Sequence, residues 1–174
     1  MMTDVYREQL VEKRPGGAAT AKKILIVVAA ILLSIAAFYF LYVMGILLAA
    51  LIFYGGYYLL MGVDCEYEYI FTNGSLDIDK IIGKRSRKRL VSAECENFTS
   101  FGMLKNAPAA ADGITTVLAS DGTGEGEYYA DFKHSSAGNV RLIFTPDEEM
   151  IKVITSAIPR PVLAEYKKNN DIIG

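Results

Sequence analysis

The densest chemistry in this sequence is Lys84-Arg85-Ser86-Arg87-Lys88-Arg89, five positive charges in six residues. Near an anionic membrane surface each such cation is worth about 1 kcal/mol. On an extended chain Arg85, Arg87 and Arg89 share one face while Lys84 and Lys88 take the other, so the segment is expected to project beyond a core. Two partners fit this pattern. Lys84, Arg85, Arg87, Lys88 and Arg89 could dock on anionic lipid headgroups, or they could form a solvated hairpin end that only marks the positive side of a membrane. Nucleic acid fits poorly. The chain holds 18 Lys and Arg against 20 Asp and Glu, and five of the basic residues lie before position 24, which leaves the remainder net acidic. No aromatic residue interrupts the run to stack on bases.

Other residues able to do chemistry are less organised. Asp121-Gly122-Thr123-Gly124-Glu125-Gly126 lacks the Lys-Ser/Thr ending of a phosphate loop, and no helical pattern follows it, so it reads as a flexible hairpin turn. His134 is the single histidine, with no cysteine or carboxylate at ligand spacing, and is expected to be exposed. Glu66 with Glu68, and Asp77 with Asp79, are spaced two apart as on the solvent face of a strand pair. Cys65 and Cys95 read as small, half-buried strand residues carrying reduced thiols. No nucleophile–base arrangement is visible. The expectation is a protein with no catalytic residue, no metal and no cofactor.

The element that positions everything else is the stretch 24–61, thirty-eight residues without Asp, Glu, Lys or Arg. As one helix it would run roughly 57 Å at about 1.5 Å per residue. A bilayer core is about 30 Å thick, so two crossings fit and one does not. They are placed at about 24–42 and 45–61, with a tight turn between. Tyr39, Tyr42, Tyr54, Tyr57 and Tyr58 suit the interfaces, and Gly55-Gly56 would let another helix pack closely, either the first span or a membrane protein partner. Lys22 and Lys23 abut the first span and argue for a cytoplasmic N-terminus, and a hairpin returns the chain to that side of the cell (inner) membrane. Residues 1–23 form the N-terminal segment, in which 3–13 has roughly helical spacing of Val5, Tyr6, Leu10 and Val11 before Pro15-Gly16-Gly17.

After the apolar stretch the period changes to two. Val63, Cys65, Tyr67, Tyr69 and Phe71 alternate with acidic neighbours, and Asn73-Gly74 then signals a type I′ hairpin turn. Further strands are expected at about 89–94, 97–104, 114–119, 127–133 and 140–145, with loops at 105–113 and 134–139. Thr145-Pro146-Asp147-Glu148 reads as a capping box with proline at the first helical position, opening a helix that ends before Pro159. A loosely ordered tail, 159–174, follows. The fold class is therefore a membrane helical hairpin followed by a mostly-β domain, 63–158, of six or seven antiparallel strands and a C-terminal helix.

This layout resembles the bacterial membrane-anchored proteins whose helical hairpin precedes a pleckstrin-homology-like (PH-like) barrel, a small family of Gram-positive bacteria. The carrying residues are Tyr69-Ile70-Phe71-Thr72-Asn73-Gly74-Ser75-Leu76-Asp77-Ile78, then Ile82-Gly83-Lys84-Arg85, and Leu142-Ile143-Phe144-Thr145-Pro146-Asp147-Glu148-Glu149. The resemblance covers about residues 24–158 and implies a fold and a location without catalytic residues. It points to a binding or scaffolding module on lipid or on a peptide, taken at a sheet edge or in the groove beside the final helix. The alternative is an accessory subunit of a membrane complex that assembles through its hairpin.

Overall fold

Two apolar helices interrupt a sheet. The computed structural model describes residues 5–110 and 113–171. The chain runs from β1 (Tyr6–Glu12) into α1 (Gly17–Leu41) and α2 (Val43–Met61), then into β2 (Cys65–Thr72), β3 (Ser75–Ile82) and β4 (Ser86–Glu94). After a 3-10 turn come β5 (Phe98–Met103), β6 (Thr115–Ala119), β7 (Tyr128–His134) and β8 (Gly138–Phe144), then α3 (Glu148–Ala157) and α4 (Arg160–Asp171). The chain divides into two compact units, one built of Arg14–Cys65 with Ile81–Ser86, the other of the remaining segments.

In the helical unit, α1 and α2 are both long and apolar enough to cross a membrane. They pack through small residues, Ala37 of α1 against Gly45 of α2 and Ala30 against Gly56, with Ser34 also buried. Ser34 keeps its hydroxyl satisfied by donating to Ala30 O at 2.7 Å. The turn lies at Tyr42, whose φ of 47° is a left-handed conformation rare for a tyrosine. Gly45 is required there, because a Cβ would lie 2.5 Å from Ala37 O. At the open end Lys23 Nζ meets Asp64 Oδ1 at 2.5 Å, so the start of α1 and the end of α2 lie together. Large apolar side chains such as Phe40 (75% exposed) and Val43 (79%) have no protein cover. Surface of that extent is in keeping with membrane association.

The other unit holds two four-stranded sheets, in the orders β1-β2-β3-β4 and β5-β7-β8-β6. The described residues thus give eight strands where the sequence points to six or seven. The added strand is β1. Residues 3–13 are expected to be helical, yet Tyr6–Glu12 pairs antiparallel with β2 from Tyr6↔Thr72 to Glu12↔Glu66; residues 3 and 4 lie outside the described ones. An isolated helix of that length is marginal in water, whereas a ladder satisfies every backbone group along one edge of β2. One pair departs from the antiparallel rule, since β6 lies parallel to β8. The Asp121–Gly126 segment is correspondingly a crossover and no hairpin turn, because β6 and β7 are not neighbours.

The Asn73-Gly74 turn forms as expected, with φ of 49° and 100°. A second turn of that kind follows at Gly83-Lys84, with φ of 60° and 57°, closed by Arg85 N–H to Ile82 O at 3.2 Å. The core of the sheets is apolar: Tyr69, Phe71, Leu76, Ile78, Leu142 and Phe144 are each 1% exposed or less. Each such side chain contributes about 1.5–3 kcal/mol through burial. Met150 and Ile154 of α3 are likewise fully buried.

The C-terminal region departs from expectation in two places. The cap of α3 is Asp147, which accepts from Met150 N–H at 2.6 Å, and not Thr145. Thr145 is already engaged, its N–H donating to the Tyr69 hydroxyl at 3.1 Å and its own hydroxyl meeting Asp121. The segment after Pro159 is helical. Pro161 sits in the first turn of α4, where a missing N–H costs nothing, so the prolines end one helix and begin the next. Residues 172–174 of the expected tail, and 111–112 of the expected loop, lie outside the described ones.

Candidate functional site

The side chains of the basic run take different partners. Arg87 bonds Glu68 at 2.7 Å and lies 4.0 Å from Asp79, while Arg89 bonds Asp77 at 2.7 Å and Asp79 through Nε. Glu68 and Asp79 are almost buried, at 5% and 4% exposure. They do not form a plain solvent face, because arginine stems from β4 lie over them. Arg85 takes a different role, its guanidinium resting 4.2 Å from the centre of the Tyr58 ring with Nη2 3.3 Å from Met61 Sδ. Lys84 occupies the left-handed turn position and Lys88 is exposed. The segment expected to project therefore lies partly within a sheet strand.

Neighbouring carboxylates shift in opposite directions. Burial pushes the Glu68 carboxyl up, while the Tyr6 hydroxyl, donating at 2.6 Å, holds Glu8 down. Across the domain Arg141 makes a two-armed pair with Asp131 at 2.7 and 2.6 Å and donates to Pro108 O at 2.7 Å. The bond to Pro108 O ties the loop before β6 to the sheet.

The remaining sequence candidates separate. Gly56 packs on Ala30, 3.5 Å from where its Cβ would be, whereas a Cβ at Gly55 would meet nothing within 4 Å. Gly55 instead opens into an apolar groove of about 430 Å³ along the helices, bordered by Leu25, Ala29 and Ile52. His134 ends β7, half-buried, with Nδ1 3.1 Å from the Ser136 hydroxyl. Cys65 is half-buried on β2 as expected. Cys95 instead begins the 3-10 turn Cys95–Asn97 and is buried, which pushes its thiol up to about 12. Among the described residues no group of three His, Cys, Asp or Glu is placed to hold a metal ion.

A concavity of the sheet unit lies elsewhere, where three segments converge. β5 ends at Met103, and the 3-10 turn Leu104–Asn106 leaves the sheet there, its first N–H still bonded to Glu127 O at 2.8 Å. Opposite stand the glycine crossover and the first turn of α3. Asp121 orders the crossover by accepting from Thr123 N–H at 3.0 Å and from its hydroxyl at 2.9 Å. Between them is a groove of about 760 Å³. Its apolar lining includes Met103, Leu104, Tyr128 and Ile151, and its charged lining Lys105, Glu127, Asp147 and Glu148. Asp147 is already paired with Arg7 at 2.8 Å. Sequence reasoning named a groove beside the final helix, and it read Asp147 and Glu148 only as residues of the helix start. Glu127 comes from a separate segment, with no spacing to connect it to them.

The sequence matches the family described as Bacterial PH-like domain (DUF6106) over residues 3–164. No curated protein and no solved structure matches the chain.

Proposed function

This chain belongs to the bacterial PH-like domain family, and we propose that it is a membrane-anchored binding or scaffolding module and not an enzyme. The observation that carries the reading is the position of α1 and α2 between two strands that pair with each other. Glu12 lies opposite Glu66, so the apolar pair leaves from and returns to one place on the sheet. A single crossing would put β1 and β2 on opposite sides of a bilayer and abolish that ladder. The Lys23–Asp64 contact at the foot of the helices supports the same hairpin path. Lys22, Lys23 and the basic run support a cytoplasmic position for the strand-bearing side, by the preference of lysine and arginine for that face of a cell membrane.

The bilayer is then the first partner. Arg85 and Lys88 are the members of the basic run best suited to anionic headgroups, since Arg87 and Arg89 are engaged with carboxylates. The second partner is taken by the sheet unit. A cysteine placed at Tyr42 should react with a membrane-impermeant maleimide on intact cells, while one at Ser135 should react only after permeabilisation. Labelling of both positions from the same side would end the two-crossing reading.

The open notch at Gly55 favours one further reading, in which another membrane protein's helix lies against the pair and the chain serves as its accessory subunit. Filling the notch with Gly55→Leu should then release a co-purifying membrane partner. Unchanged co-purification would remove the notch from the account.

A further inference from the structure

We propose that the groove at the start of α3 receives an extended peptide segment that carries lysine or arginine beside a large apolar side chain. This deepens the binding-module reading, rests on it, and names the chemistry of the partner. The floor comes first. Tyr128 is 6% exposed and belongs to a cluster of three rings, with Phe101 at 5.6 Å and Tyr166 of α4 at 6.5 Å, while Phe101 and Tyr166 are themselves 5.2 Å apart. Together with Met103 and Ile151 this makes a rigid apolar seat, so an entering side chain displaces water without the groove having to reorganise. The volume of about 760 Å³ lies within the roughly 300–1,000 Å³ common to ligand sites.

The lining charges decide the partner's sign. Glu127 and Glu148 make no ion pair among the described residues, and the third acid, Asp147, shares Arg7 with Glu149, which Arg7 contacts at 2.6 Å. Among the described residues Lys105 is the single cation lining the groove, so the lining is net negative and complements a basic segment. The wall is made of Gly124 and Gly126, where added Cβ atoms would meet nothing or lie 3.8 Å from Thr145. Bare backbone along one wall suits an extended chain, which presents N–H and C=O groups of its own.

A random nine-residue peptide library displayed on phage, selected on the full chain in nanodiscs with empty nanodiscs subtracted, tests this. Enriched peptides should place Lys or Arg next to Leu, Ile, Met or Phe. Their affinity should fall about tenfold with Glu148→Lys, an exposed position that keeps the fold, and also with Glu127→Gln. Lys88→Gln, outside the groove, should leave affinity unchanged. No enrichment, enrichment of acidic peptides, or binding indifferent to Glu127 and Glu148 would overturn the proposal. Maleimide labelling at Tyr42 reports on anchoring independently, so failure of the groove and failure of the anchored topology give different results.

Discussion

Arg7 Nη2 donates to Asp147 Oδ2 at 2.8 Å, joining a strand that precedes the apolar helices to the residue that caps α3. Gln9, two residues along β1, adds a second tie, donating to Thr145 O at 3.1 Å and accepting from Asp147 N–H at 2.9 Å. The first strand therefore fixes where α3 begins.

Asp147 should show this in its pH response. Burial opposes its ionisation, but the Met150 N–H and the Arg7 guanidinium outweigh that and hold the carboxyl below its ordinary range. Its contribution is thus fully present above the ordinary aspartate pKa of about 4, and is lost as pH falls through the lower folded value. Asp147→Asn keeps a capping oxygen and loses the charge. Its stability deficit at neutral pH should shrink in acid, while Asp147→Ala should cost about 1–2 kcal/mol through the lost cap. Unfolding of the detergent-solubilised chain across pH 3–7 reads both, and a deficit independent of pH would refute the charge argument.

The basic run should divide by residue. Arg89→Ala leaves Asp79 nearly buried without its closest cation and should destabilise the domain by about 1–3 kcal/mol. Lys88→Ala removes an exposed charge and should stay within about 0.5 kcal/mol. Thermal melts of the two variants compare them directly; equal effects would mean that the carboxylate contacts are not holding the sheet.

Tyr69 joins the two sheets through one hydroxyl, which donates to Ala119 O and accepts from Thr145 N–H. Tyr69→Phe keeps the ring, which stands edge-on to Phe144 at 5.6 Å, and strands both backbone groups. The expected loss is about 1–3 kcal/mol, measurable by denaturant unfolding. A variant as stable as the parent would show that water replaces the hydroxyl.

Much of this architecture is local and can be read directly. The Asn73-Gly74 turn, the alternation through Tyr67, Tyr69 and Phe71, and the unbroken apolar stretch each declare themselves within a few residues. What escapes reading depends on partners far away in sequence. Val5, Tyr6, Leu10 and Val11 have helical spacing, but the strand they join lies beyond both apolar helices. Thr145 has a capping sequence, yet Tyr69 and Asp121 already occupy its polar groups. Arg87 and Arg89 look free because Glu68, Asp77 and Asp79 reach them only when the sheet has formed. Glu127 and Glu148 meet only where a strand start, a crossover and a helix start converge.

The insertion of α1 and α2 between paired strands also sets a timetable for synthesis. β1 is translated first and has no partner until both helices and then β2 have left the ribosome. Its ladder can close only once both apolar helices have been made and β2 has followed them. Until then the edge of β2 stays open, an edge that invites pairing with other chains. Completion of the first sheet thereby waits on a stretch of chain that contributes no strand to it, and the sheet closes late although its first strand is made first.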